Sequence, residues 1–295
     1  MRHHFADLLD REDEYWTIVP NNERNAYSIE KEIKDKGSVR ILTISKNHEN
    51  WRQIFDFPNL EELTLHDPSK EQVEAIKDLT LLKRLRLSFF RAKDIEFIEN
   101  LKNLEEVVFE YVSGFSNLSP LQKLTKLRSV HFENLRRVSN FDGLKGIDSL
   151  KYLHIDGTLD WNQPIDNFSF LEGLPNLEVL SLGFVINKTE FPAFLPVLTL
   201  KKLKRLIMGM ATFSAKEYAF LNKALPNVIK GYTEDDTSWS AYYQKNNNGD
   251  IYFLGKGSRT VKPNASNATE KKEAAVKQFE IYEREAEETL KSYLP

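Results

Sequence analysis

Two histidines and four carboxylates are the residues of this chain whose types and spacing could do chemistry. His131 and His154 stand 23 positions apart, among Glu106, Glu110, Glu133 and Asp156. Imidazole and carboxylate ligands suit a transition metal, and the same groups serve general acid–base catalysis. The spacing argues against both uses. No H-E-x-x-H pair and no carboxylate–histidine spacing that would orient a ligand ring accompanies them, and six histidines in 295 residues supply such a coincidence by chance. The chain has no cysteine, which removes disulfides, thiolate metal sites and cysteine nucleophiles together. Gly255-Lys-Gly-Ser-Arg259 is only superficially a phosphate loop, because G-x-x-x-x-G-K-[ST] is missing and no helix follows directly. No catalytic residue, cofactor or metal is therefore expected. An enzyme or metal-binding protein using the His131/His154 acidic patch is the alternative.

What must position these residues is a repeat. Aligning the central apolar position of each L-x-x-L-x-L core gives Leu42, Leu63, Leu85, Val107, Val130, Leu153, Leu180, Leu206 and, more weakly, Gly231, with separations of 21, 22, 22, 23, 23, 27, 26 and 25 residues. Clear copies are Asn59-Leu-Glu-Glu-Leu-Thr-Leu65 and Asn176-Leu-Glu-Val-Leu-Ser-Leu182. Between the cores runs a second pattern with a period of three, as in Ile95, Ile98, Leu101, Leu104 and Val107, or Phe115, Leu118, Leu121, Leu124, Leu127 and Val130. A spacing of three keeps side chains in one row only near 3₁₀ geometry, whereas the closing L-x-L alternates as a short strand does. One strand plus one helical turn cannot bury its own apolar row, so the units must stack.

Over residues 38–232 these repeats make the chain resemble the SDS22-like, roughly 22-residue class of leucine-rich repeat proteins. The resemblance implies an α/β solenoid, a horseshoe or arc with a concave parallel sheet and convex 3₁₀ or short helices, that binds other proteins, here of a bacterial cytoplasmic type. One departure is visible. The slot three residues after the last strand residue, which in the family holds a ladder of Asn or Cys, is filled by Pro68, Phe90, Val112, Leu135, Thr158, Val185 and Ala211.

Solenoids need capped ends. Residues 1–37, with Phe5, Leu8, Leu9, Tyr15 and Trp16, are expected to form the first cap, before about nine repeats over 38–232. Residues 233–255, with Trp239 and a strand Ile251-Tyr-Phe-Leu254, form the other. A polar linker over 256–269 then leads to a helix over 270–295, whose stripe Ala275, Phe279, Tyr282, Ala286 and Leu290 should pack back on the last repeats. The charged stretch Met1 to Pro20 lacks a signal-peptide core, and no segment has the roughly 20 apolar residues of a span. A cytoplasmic protein without membrane contact is expected.

The x positions of each strand should project onto the concave face of the sheet, where a partner protein would bind. They gather Arg84 and Arg86 into a basic spot, followed by an acidic zone of Glu106, Glu110, Glu133 and Asp156 into which His131, Tyr152 and His154 project. Val179, Ser181, Gly183, Ile207 and Gly209 continue as a flatter, less charged area. Phe89-Phe90 and Tyr111-Val112, which follow consecutive strands, read as loop-core packing, with an exposed contact strip as the sharper reading. The nine charged and aromatic residues form the candidate site of a non-enzymatic protein–protein interaction module, its partner another protein with a basic face. An inhibitor, immunity or regulatory protein, monomeric, fits this pattern. The net charge of −3 disfavours nucleic acid. A self-assembling scaffold using the terminal helix is a further alternative.

Overall fold

The structure, a computed structural model, describes residue 29 and residues 32–231 and 238–293. Residues 1–28, 30 and 31, which hold most of the expected first cap, lie outside the described residues. Eleven strands belong to the solenoid: β1 (Ile41–Ile44), β2 (Glu62–His66), β3 (Arg84–Ser88), β4 (Glu106–Glu110), β5 (Ser129–Glu133), β6 (Tyr152–Asp156), β7 (Gln163–Ile165), β8 (Val179–Gly183), β9 (Val185–Asn187), β10 (Arg205–Met208) and β11 (Ile229–Lys230). Nine of them form one parallel sheet in the order β1-β2-β3-β4-β5-β6-β8-β10-β11. Strand follows strand through 3₁₀ turns such as Glu96–Asn100 and Ser119–Lys123. The chain is a leucine-rich repeat solenoid.

The period of three appears in the backbone as well as in the side chains. Ile98, Leu101 and Leu104 each donate their N–H to the carbonyl of the apolar residue three positions back, at 3.2, 3.0 and 3.0 Å. The same residues are fully buried, so one short turn supplies both the hydrogen bonds and the row that stacks on the next repeat. Neighbouring strands pair in the register of the aligned cores, Leu42 with Leu63, Leu85 with Val107, Val130 with Leu153 and Leu180 with Leu206.

The ninth copy departs from the expected register by one residue. Leu206 pairs with Lys230, not Gly231, and Arg205 pairs with Ile229. A slip of one turns every side chain to the opposite face. Lys230 is half-buried, and its ammonium donates to the carbonyls of Leu225 and Val228 at 2.7 and 3.1 Å, just past helix α2 (Ala215–Ala224). The local need to satisfy the carbonyls of the helix C-cap, Leu225, and of the loop residue Val228 overrides the spacing. The longer repeats, of 27 and 26 residues, use their extra length for the small parallel pair β7–β9.

Three buried side chains do the work of the missing Asn ladder. Gln72, at the N-terminal turn of α1 (Lys70–Ala75), donates to the Ser45 carbonyl at 2.8 Å. Gln163 accepts from the Leu135 N–H at 2.9 Å and donates to the Val138 carbonyl at 2.6 Å. Glu217 accepts from the Ala193 N–H at 3.0 Å. Each crosses from one repeat to the loop of the preceding one. Buried loop groups must be paired, and long polar side chains reach them where a short Asn is absent.

At the far end, α3 (Ser238–Ala241) precedes the antiparallel pair β12 (Tyr243–Lys245) and β13 (Ile251–Phe253), and α4 (Ala268–Lys291) lies against α2. The stretch 256–269 is tied down rather than loose: Val261 is buried and bridges Ile251, and Lys262 pairs with Asp250 at 2.8 Å. Of the helix stripe, Phe279, Ala286 and Leu290 are buried, and Phe279 stacks on Tyr242 at 4.4 Å between ring centroids. No helix among the described residues is long and apolar enough to cross a membrane.

Candidate functional site

Parallel pairing brings all nine candidate residues onto the adjacent strands β3 to β6. In the first row, Glu62, Arg84 and Glu106 are register partners, and the Arg84 guanidinium lies 3.8 Å from the Glu62 carboxylate and 3.7 Å from that of Glu106. Deeper in the sheet face, the Arg86 guanidinium donates through Nε to Glu110 at 2.8 Å and through Nη2 to the same oxygen. This corrects the expected basic spot. Strands about 4.8 Å apart put each arginine beside carboxylates of its neighbours, so the two cations are neutralised.

The site is also less open than the alternation of side chains suggests. Glu106, Glu110, Arg86, His131 and Tyr152 are each exposed by 4% or less. Tyr152 joins Val179 and Ile207 in a small apolar cluster on this face, with the Arg128 guanidinium 5.8 Å from its ring centroid. Glu133 and Asp156 keep intermediate exposure. His66, at the end of β2, has its imidazole pKa lowered by burial and by the nearby Arg86 charge.

His131 and His154 meet face to face, ring centroids 4.1 Å apart and planes 10° from parallel. Imidazole lone pairs lie in the ring plane. Two stacked rings therefore aim them along parallel lines, which do not converge on an ion that needs Zn–N contacts of about 2.0–2.1 Å. Among the described residues no three His, Asp or Glu side chains are placed to hold a metal. His154 Nε2 lies instead 3.3 Å from Asp156 Oδ2.

A feature that hydropathy patterning does not display lies at the rim where the strands end. Two residues after the last core residue of its strand, each of Asp67, Phe89, Tyr111, Asn134 and Phe184 has positive φ, between 44° and 56°. The left-handed turn lets the chain leave the strand while four of these N–H groups still reach the last carbonyl of the next one, as Phe89 does to Glu110 at 3.0 Å and Tyr111 to Glu133 at 2.9 Å. Asp and Asn tolerate this conformation; bulky residues in it are outliers. Phe89, Tyr111 and Phe184 are nonetheless 51%, 39% and 46% exposed. Phe89 stacks on Tyr111 at 4.9 Å and meets His66 edge-on at 5.3 Å. The Tyr111 hydroxyl pKa is raised by partial burial and by the carboxylates of Glu133, Glu110 and Asp160. Their neighbours Phe90 and Val112 pack inward, so the paired aromatic positions divide between core and surface. The signal available in the sequence was Asp67 and Asn134 occupying the slot that Phe89, Tyr111 and Phe184 share.

Beyond β6 the sheet face opens into a cavity of about 680 Å³, lined by Asp156, Gly183, Phe184, Met208, Met210 and Tyr252 among others. It lies between the flat Gly183–Gly209 area and the β12–β13 cap.

No family model matches the chain, and no curated protein sequence matches it. Among solved structures it is similar to an internalin (inlF) of Listeria monocytogenes, with 19% identity, 70% of this chain and 59% of that chain covered, and a TM-score of 0.47. A second internalin, C2, of the same organism is 24% identical over 52% of this chain and 63% of that one, with a TM-score of 0.40. A leucine-rich repeat protein of Leptospira interrogans is 18% identical over 67% of each chain, with a TM-score of 0.34. The chain thus spans less than two thirds of the length of either internalin, and these are likenesses of fold alone.

Proposed function

We propose that this chain is a non-enzymatic protein-binding module, and that its partner, a protein with a basic face, lies along the strand-end rim and the carboxylates beside it. The observation that carries this reading is the rim itself. Phe89, Tyr111 and Phe184 occupy a backbone position that disfavours their type by about 1–2 kcal/mol each, and they leave much of their ring area in water. The turn itself requires neither feature, since Asp67 and Asn134 make it too. Strain persisting at exposed aromatic positions marks contact surfaces, and Tyr and Phe are rigid, amphipathic interface anchors. Glu133 and Asp156 lie in register next to Glu110 on the same rim, which favours an arginine- or lysine-bearing partner by charge complementarity.

The reading includes a cytoplasmic inhibitor or regulator, of the kind in which the bound protein spans several repeats. The test is affinity capture from lysate of the source organism, comparing wild type with the triple variant Phe89→Asn, Tyr111→Asn, Phe184→Asn. Asparagine keeps the left-handed turn, so the fold should persist by circular dichroism. A stoichiometric protein retained by wild type and lost with the variant is the expected result. Equal retention by both would remove the rim from the site.

A further inference from the structure

We infer that the cavity between β6 and the β12–β13 cap receives an arginine side chain of the partner, with Asp156 as its counter-ion. The inference rests on the protein-binding reading and adds to it the position and chemistry of one anchor.

Asp156 ends β6, and its carboxylate lies over Gly183: a Cβ built there would stand 2.5 Å from Asp156 Oδ1. The missing side chain is what leaves the carboxylate room on the cavity wall. Its supply of donors is poor. Oδ2 has the His154 imidazole at 3.3 Å, and Oδ1, shielded from solvent beside the Gly183 backbone, has no hydrogen-bond partner among the described residues. A carboxylate with 22% side-chain exposure and so few donors is a site where charge-assisted hydrogen bonds are worth most.

The rest of the lining selects the shape of the donor. Phe184 and Tyr252 border the cavity and are 46% and 41% exposed, so two aromatic rings stand at the wall of the site. Met208 and Met210 add polarizable thioethers that adapt to a flat hydrocarbon stem. A guanidinium satisfies both requirements at once, with a rigid fork of donors for a carboxylate and a face that stacks on aromatic rings. One cation, Lys256, also borders the cavity. Its loop is anchored on the β10 side, where the Gly255 N–H bonds the Met210 carbonyl at 2.8 Å. The Lys256 side chain is exposed, and among the described residues it forms no ion pair with Asp156.

The chain supplies its own reporter, because two of its three methionines, Met208 and Met210, line this cavity. Protein labelled with ¹³C at the methionine methyls, with signals assigned through Met208→Leu and Met210→Leu, is titrated with N-acetyl-arginine amide and with the neutral isostere N-acetyl-citrulline amide. The arginine amide should shift both signals with a Kd on the order of 1 mM, and the citrulline amide should bind at least tenfold more weakly. Asp156→Asn should remove that difference, and Gly183→Val should abolish the shifts by filling the wall. The inference is overturned if the arginine amide moves neither signal, if citrulline binds as well, or if Asp156→Asn leaves the preference intact. No partner protein enters this titration, so its failure removes the anchor alone, whereas failure of the capture experiment removes the protein-binding reading.

Discussion

Replacing Glu217 by glutamine should make the protein more stable at pH 8 and leave it unchanged near pH 5. Glu217 is 3% exposed, in the first turn of α2. Burial raises its carboxyl pKa from 4.5 to about 7, although the backbone N–H groups of Ala193 and Phe194 pull the other way. Between those two values the folded chain holds a proton that the unfolded chain has lost. This stabilisation is fully present below pH 4.5 and disappears as the pH rises through 7. At about 1.4 kcal/mol per pH unit, the interval corresponds to about 3 kcal/mol. Glutamine, like the protonated acid, offers an acceptor to the Ala193 N–H and no charge. Urea unfolding at pH 5 and pH 8, on wild type and Glu217→Gln side by side, reads the effect. His66 works in the opposite sense, since its lowered pKa gives stability that is lost as the pH falls, but it is common to both proteins and cancels in their difference. Equal losses for both proteins between pH 5 and pH 8 would show that Glu217 ionises in its ordinary range, and the argument from burial would fail.

Other perturbations have equally definite outcomes. Gln163→Ala strands the Leu135 N–H and the Val138 carbonyl in the interior and should lower stability by about 2–4 kcal/mol, read from the urea midpoint. Phe184→Asn relieves a left-handed phenylalanine that is half in water and should raise stability by about 1 kcal/mol; a loss of that size would show that the ring supports the fold. Arg86→Met leaves Glu110 buried without its guanidinium and should destabilise by about 3 kcal/mol, with much of the loss recovered in Arg86→Met, Glu110→Leu. Truncation after Lys262 uncovers the α2 face that Phe279, Ala286 and Leu290 occlude and should produce a protein that aggregates on gel filtration.

The repeat was legible because a stacked solenoid writes the same constraint into every unit: Leu63, Leu85 and Val107 recur at nearly constant spacing, and all are fully buried. The candidate patch followed from that alignment, since register alone fixes which x residues become neighbours. Its electrostatics required the cross-strand step, in which Glu62 and Glu106 flank Arg84. Two features stayed hidden for other reasons. Lys230 takes its register from the carbonyls of Leu225 and Val228 in the turn that follows α2, a constraint with no period. Phe89 and Phe90 are identical in hydropathy, and only a backbone angle sends one to the rim and the other inward.

The offset of Lys230 also settles how this stack of repeats comes to a stop. A parallel sheet is an open template, and its last strand offers unpaired groups to any chain that can continue the ladder. Here that strand is two residues long, and the ammonium beside it is held by the carbonyls of Leu225 and Val228, in a row where the preceding repeats have an apolar side chain. A further strand paired in the same register would set its central core residue beside Lys230. The last strand thus carries a polar, already occupied side chain in the row where the preceding repeats carry leucine or valine.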